Sequence, residues 1–371
     1  MTKIKLLSLT NCLLEYRLPV YNLLAEKFDL TIAHYGESVA HRDIHFKEIL
    51  LTPIIRGPFT FSKEKLTTLA AGFDAVIALG ELRMWSFLKL GFVIKRKYAL
   101  TYWNIGVSAS YNKRYDEDRS LDFFRFNLLN RADSIVFYTD YPIKRYVEDG
   151  GVQREKLFVA NNTVEVKERI QIPFEKKHFL FVGTLYKAKK IYDLLEAYKK
   201  AYEMSNNIYP LVIIGEGIEK ENVLKFIKEQ QLQHKISVKG AIYDQEVLKV
   251  FYTDAIALIS PGQAGLTVLN AFAYGVPFVT TKTAITGGEI FNIKNEINGL
   301  LYDDNHNNLK NIILELTRNP QKVYQMSVNA QNHYFEHSTL DKMVEGLSQA
   351  ILYAVNCKKK QNNQQLRSIN K

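Results

Sequence analysis

The chain has 371 residues, of which 47% are hydrophobic, and a formal net charge of +10. Its length exceeds one ordinary domain and suits two α/β domains, while Cys12 and Cys357 at opposite ends exclude a disulfide framework or a cysteine metal site. No run approaches the roughly 18 uncharged apolar residues of a membrane span, so a soluble protein is expected; the two cysteines make a reducing cytoplasm the simplest compartment, and the positive charge favours anionic partners.

Residues 1–9 lack the length and cleavage site of a signal peptide and read as a first buried strand over 4–9. Short apolar runs then alternate with helical patterns at 20–28, 30–34, 65–71, 75–79 and 98–102, the signature of β-α-β units around a parallel sheet. A helix over about 120–131, a strand at 134–138, a helix from Pro142 and a strand at 156–160 follow. Periodicity is then lost, and Pro173 precedes a new buried strand, which sets a linker at 166–176 between a domain over 1–165 and one over 177–335. The second series places strands at 178–182, 211–214, 235–238, 255–259 and 278–280, with helices starting near Ala188, Glu219, Gln245 and Leu266. Residues 307–354 read as helix broken at Pro320, with 336–356 packing back toward the first domain. The basic tail 357–371, rich in Asn and Gln and free of acidic residues, reads as disordered.

Two glycine turns carry chemistry. The strand over 178–182 ends in Gly183-Thr184, and Lys187-Ala188-Lys189-Lys190 stands before the next helix. Glycine lets backbone amides approach a phosphate, and lysines beside a helix N-terminus put positive charge where an anion would sit. Such turns are common and lysines are usually solvated, so alone this signal is weak. In the second turn, Ser260-Pro261-Gly262-Gln263-Ala264-Gly265-Leu266-Thr267, a strand runs into a glycine-rich loop and a helix that ends at Gly275, and Pro277 restarts the next strand. The free amides of Gly265, Leu266 and Thr267 then form a diphosphate cradle at the carboxyl edge of the sheet, where open α/β folds bind ligands.

The ordered set Val182-Gly183, Lys189, Gly215-Glu216-Gly217, Gly240, Ser260-Pro261, Gly265-Leu266, Ala271, Gly275-Val276-Pro277 and Asn298-Gly299 resembles family 4 glycosyltransferases of the GT-B fold. The likeness covers about 179–301, and Tyr16-Arg17-Leu18-Pro19-Val20-Tyr21 resembles that family's first loop and helix. It implies two Rossmann-like, doubly wound domains facing a central cleft, with a nucleotide diphosphate sugar held by the second domain and the acceptor by the first. The basic pair that stabilises the leaving diphosphate falls on Thr184 and Lys189, and a flanking pair of glutamates falls on Gly262 and Asn270. Asn270 can still hydrogen-bond a ribose hydroxyl, whereas Gly262 offers only backbone. Glu289, after Gly287-Gly288, is a candidate to hold a sugar hydroxyl in place of the missing carboxylate, against a competing role as helix N-terminal charge. Ile105 stands where relatives often carry His, which leaves His34, His41 and His45 as candidate acceptor-side bases or ordinary surface histidines. Arg17 would face the cleft and bind a donor or acceptor phosphate bidentately, unless it serves a surface ion pair. Asp116-Glu117-Asp118 reads as a helix cap through Asp118 or Ser120 rather than a metal triplet.

The expectation is a retaining, metal-independent glycosyltransferase of surface polysaccharide biosynthesis, with Lys189 and Arg17 as catalytic cations. Its donor, a UDP- or GDP-sugar, is held by Gly183, Thr184, Lys189, Gly262, Gly265, Leu266, Thr267, Asn270 and Glu289. No cofactor beyond the donor is implied, and the leaving diphosphate itself helps take the acceptor proton. The acceptor is a glycan or lipid-linked glycan, and the basic, aromatic-laced stretch 92–103 with the cationic tail suggests contact with an anionic inner membrane face. The alternative is a non-catalytic GT-B-like subunit that binds a partner glycosyltransferase or glycan, motivated by the lost glutamates, Arg and His. No helix-turn-helix, zinc or RNP-like pattern accompanies the charge, so nucleic acid is not an expected partner.

Overall fold

The computed structural model describes residues 3–109, 115–166 and 168–369. It divides into two compact units: one gathers the chain up to Ser108, Asp118–Glu165 and the chain from Leu340, and the other gathers Ala109–Glu117 and Val166–Thr339.

The first unit is built on seven parallel strands: β1 (Lys5–Thr10), β2 (Asp29–His34), β3 (Lys47–Leu50), β6 (Ala75–Leu79), β7 (Ala99–Asn104), β8 (Ser134–Phe137) and β9 (Leu157–Val159), while β4 (Pro53–Arg56) and β5 (Phe59–Ser62) form a separate antiparallel hairpin. The strand order is β3-β2-β1-β6-β7-β8-β9. Every residue from Leu6 to Thr10 is buried, because helices cover both faces of the sheet and a parallel strand between them has no polar side. One face packs on the helix Leu18–Lys27 and on Met343, Val344, Leu347 and Ile351 of the last helix. The other is filled by Phe87, Tyr102, Phe126 and Tyr146.

The second unit carries six parallel strands, β10 (His178–Val182), β11 (Leu211–Ile214), β12 (Ile236–Val238), β13 (Ala255–Ile259), β15 (Phe278–Thr281) and β17 (Gly299–Tyr302), in the order β12-β11-β10-β13-β15-β17. A two-residue parallel pair, β14 (Gln263–Ala264) with β16 (Ile285–Thr286), lies outside it. In both units the chain winds outward on one side of the first strand, then returns to wind outward on the other. The switch falls between β1 and β6 in one sheet and between β10 and β13 in the other. Loops leaving the carboxyl ends of those strands diverge, and that divergence makes the crevice in which open α/β sheets bind ligands.

Three sequence expectations change. The stretch 92–103 does not form one surface, since Ala99–Asn104 is a fully buried strand and Tyr98 is equally buried. The hairpin β4–β5 and the edge strand β3 carry no strong alternation and were not foreseen. The tail from 357, expected to be disordered, continues the helix Leu340–Ile369. Its Lys, Gln and Arg residues are good helix formers, and propagation from a segment already docked on the sheet needs no new nucleus. Among the described residues no helix is long and apolar enough to cross a membrane.

Candidate functional site

The carboxyl edge of the second sheet gathers Gly183, Thr184, Lys189, Gly262, Gly265, Leu266 and Thr267 on the two loops that diverge at its switch point. The first loop leaves β10 and turns through Lys187–Lys189, and Lys190 follows in the left-handed region at φ 52° before the helix Ile191–Met204. That turn folds Lys189 back over the strand end, so that a Cβ built on Gly183 would meet the Lys189 Nζ at 3.1 Å. Lys189 is only 8% exposed, and its ammonium has no hydrogen-bond or ion-pair partner among the described residues. Burial pushes it down to about 8, because the charged form is held away from water without an opposing charge. Its neighbour Lys190 is paired with Asp304.

The second loop leaves β13 and is fastened to this basic turn. The Gly262 amide donates to the Lys189 carbonyl at 3.2 Å, and its own carbonyl accepts from the Ile285 amide at 2.9 Å. A Cβ on Gly262 would stand 2.1 Å from the Ala188 carbonyl oxygen, so any side chain there would push the two loops apart. The loop is braced from β15 by Thr280, whose hydroxyl donates to Ser260 O at 2.7 Å, and by Thr281, which donates to Pro261 O at 2.8 Å. Tyr186 donates to the Gln263 side chain at 2.8 Å and links the loops again. Beyond this brace Gly265 has open space around its Cα. The helix Thr267–Ala273 starts with no side-chain cap, and the amides of Leu266 and Thr267 make no hydrogen bond among the described residues. Asn270 lies four residues after Leu266 and three after Thr267, which puts its amide on the helix face that carries those free N–H groups.

Beside these loops is a cavity of about 400 Å³ lined by Val182, Gly183, Thr184, Gly215, Glu216 and Tyr243 among others. Its floor requires glycine: a Cβ on Gly215 would lie 2.0 Å from the Gly183 carbonyl oxygen, and Gly215 has φ 155°. A buried ammonium, free helix N-terminal amides and an adjoining pocket together can bind an oxyanion attached to a larger group.

Other candidates fare differently. Gly262, proposed as a backbone contact to the donor, spends both its polar groups on Lys189 and Ile285, and its role is close packing. Glu289 is 7% exposed, and its Oε2 accepts from the Gly287 amide at 3.0 Å and from the Thr286 hydroxyl at 3.5 Å, so it closes its own loop. Arg17 belongs to the first unit, on the loop after β1. It is 9% exposed, with its guanidinium 5.1–5.2 Å from the ring centroids of Tyr16, Trp103 and Tyr138 and Nη1 donating to the Met343 sulfur at 3.3 Å. The alternative of a surface ion pair is therefore replaced by an aromatic cage. His34 is fully buried with Nδ1 2.8 Å from Tyr35 O and Nε2 2.9 Å from Glu48, which makes it a structural residue and not an open base. Asp118 accepts from the Ser120 amide at 3.1 Å one turn ahead of the helix Asp122–Leu129, whose N-cap, Leu121, has no side-chain bond. Among the described residues no group of three His, Cys, Asp or Glu stands close enough to hold a metal ion. Tyr186, Thr280, Thr281 and Tyr243 escaped sequence reasoning, since isolated hydroxyls and one aromatic in a loop leave no periodic or motif signal.

The chain has relatives in sequence and in fold. The family model of glycosyl transferases group 1 matches residues 163–333. A structure of Anabaena Alr3699/HepE in complex with UDP superposes with a TM-score of 0.70 at 14% identity, covering 93% of this chain and 98% of that one. The fold of the chain is thus GT-B, with two Rossmann-like units on parallel sheets. Among curated relatives, the O-antigen chain mannosyltransferase RfbU of Salmonella typhimurium is 24% identical over 169 residues, 44% of this chain and 47% of that protein. The N-acetyl-alpha-D-glucosaminyl L-malate synthase of Bacillus anthracis is 22% identical over 129 residues, 34% of this chain and 33% of that protein. The match thus spans a third to about half the length of these relatives. The group 1 match contains the whole Lys189 edge described above.

Proposed function

We propose that the chain is a family 4 glycosyltransferase that moves a hexose from UDP- or GDP-sugar to a glycan or lipid-linked glycan, with retention, in surface polysaccharide biosynthesis. The observation that carries this reading is Lys189, a buried ammonium without a protein anion among the described residues, fastened through Gly262 to the loop whose Leu266 and Thr267 amides make no hydrogen bond among them. A diphosphate seated there would receive one charge-assisted bond from Lys189 and backbone donors from the helix start, and the charge it gains on departure would be stabilised by groups already in place. Thr184 can add a hydroxyl where relatives of the family supply Arg, and Asn270 a ribose contact. In the transfer, the bond from anomeric carbon to diphosphate oxygen breaks as the acceptor oxygen bonds to the same face, and the acceptor proton passes to the departing diphosphate. No metal or cofactor takes part. Arg17 holds a phosphate of donor or acceptor in this reading, and its cage of rings fixes the direction in which the guanidinium can present its fork. The enzyme works in the cytoplasm, at the inner face of the membrane.

The experiment is a calorimetric titration of the full chain with UDP, GDP and their hexose conjugates, followed by anomeric proton NMR of the transferred sugar. Micromolar binding of one nucleotide with an α-to-α transfer supports the reading. Failure of every nucleotide to bind, or inversion at the anomeric carbon, overturns it, and binding without turnover on any glycan moves the chain to the non-catalytic alternative.

A further inference from the structure

The hairpin β4–β5 of the first unit is an anomaly. A two-stranded ribbon cannot bury a core of its own, yet this one shows Ile54, Ile55 and Phe59 to solvent, with Ile55 73% exposed. It does not float free. The Thr60 amide donates to Arg83 O at 2.7 Å, the Ser62 amide to Ser86 Oγ at 2.9 Å, and Phe59 meets the Trp85 ring edge-on at 6.2 Å. The helical segment it rests on leads through Lys89–Phe92 to a loop that exposes Phe92 and, at 88%, Ile94. Hairpin and segment are thus joined, and each shows large apolar side chains to solvent.

The charge on that surface has one sign. Neither 53–63 nor 82–98 contains an acidic residue. Arg56, Lys63, Lys65, Lys89, Lys95 and Lys97 are exposed and make no ion pair among the described residues. Two carboxylates that adjoin these stretches in sequence are already bonded: Glu64 accepts from the Thr52 amide at 3.1 Å and from the Ser62 hydroxyl, and Glu81 is bound by Arg83 at 2.7 Å. Arg96 is withdrawn as well, onto Asp133 at 2.6 Å.

We infer that this face is a membrane-docking surface, with the Ile55 and Ile94 tips entering the acyl boundary of an anionic bilayer while the ring of lysines meets its phosphates. Branched aliphatic side chains at the tips have no π-face for a nucleobase and no hydrogen bond to give, and hydrocarbon is the medium they favour. Lysine stems can lie along the interface with their ammonium groups at headgroup level. This places on the hairpin the membrane contact of the preceding reading, on which it rests, and takes it away from the buried strand 99–104 and the C-terminal helix.

The test is co-sedimentation of the full chain with vesicles of phosphatidylcholine alone and of phosphatidylcholine mixed equally with phosphatidylglycerol. Two variants are compared, Ile55→Ser with Ile94→Ser, and Lys89→Gln with Lys95→Gln and Lys97→Gln. All of these side chains are at the surface, and unchanged nucleotide titration confirms an intact fold. The wild type should partition to the anionic vesicles at least about tenfold better than to the neutral ones, and each variant should lose roughly tenfold. Equal sedimentation of variant and wild type, or indifference to lipid charge, overturns the assignment. So does a wild-type dimer that the isoleucine variant dissolves, which would make the face a self-association surface. Loss of nucleotide binding in the wild type would instead overturn the enzyme reading and leave the vesicle result standing.

Discussion

Lys176 and Lys189 lie beyond opposite ends of β10, and both are 8% exposed. Burial pushes each down to about 8. What separates them is the partner. The Lys176 ammonium donates to the Thr253 carbonyl at 2.8 Å and feels the charge of Asp254, at the amino edge of the sheet. At the carboxyl edge, Lys189 has a glycine beneath it and no protein acceptor among the described residues. A depressed lysine is therefore not in itself a functional signal. The signal is a depressed lysine whose surroundings leave its hydrogen bonds to something else.

The largest expected difference between the two is in nucleotide affinity. Lys189→Met should weaken UDP or GDP binding by about 100-fold or more, the worth of a charge-assisted contact in a partly buried site, while Lys176→Met should stay within about twofold. Calorimetry decides, and equal losses would dissolve the distinction. Stability should move the other way. A lysine lowered from 10.5 to about 8 costs the fold on the order of 3 kcal/mol, in full below pH 8 and progressively less as pH rises toward the unfolded value. Lys189→Met should thus stabilise the protein at pH 7 by about 2–3 kcal/mol in denaturant melts. Lys176→Met should gain less, since the Thr253 carbonyl then loses its donor at about 1–3 kcal/mol.

Position can be separated from charge at the loop. Gly262→Ala drives a methyl into the Ala188 carbonyl and should cost about 1–3 kcal/mol of stability together with donor affinity, because the turn that aims Lys189 must shift. Gly265→Ala meets no atom and should change stability by less than about 1 kcal/mol. The smallest effect is on the pH profile. Above about pH 8 the free enzyme must take up a proton to bind a diphosphate, so affinity should fall roughly tenfold per pH unit. Lys189→Arg, charged throughout, should flatten that slope, and a slope that survives in it would assign the titration to another group.

Much of this was legible in the chain. Buried parallel strands are continuous apolar runs, so 75–79 and 178–182 could be read almost to the residue. The glycine at 183 and the loop 260–267 stood out because turns under phosphate chemistry need those residue types. What could not be read is what depends on distant chain. Whether Glu289 faces a ligand or its own Gly287 amide, and whether Gly262 offers its backbone or gives it to Lys189, is decided by loops from β10, β13 and β16 meeting in space. The cage around Arg17 could not be read either, because nothing local announces that Trp103, Tyr138 and Met343 close around it. That 92–103 is not one surface could not be read for a related reason: aromatic residues with basic neighbours look alike in a buried strand and on a surface.

The first unit is interrupted in sequence, since its sheet is covered on one face by Met343, Val344, Leu347 and Ile351 of the helix Leu340–Ile369, while Val166–Thr339 lies in the other unit. During vectorial synthesis the ribosome therefore finishes the second unit first. The first unit, although its strands are made before it, keeps the part of this face around Val136 uncovered until the helix Leu340–Ile369 emerges, the helix Leu18–Lys27 being already at hand for the rest. This inverts the usual order in which nascent domains mature, because the unit whose strands are made earlier is the later to be completed.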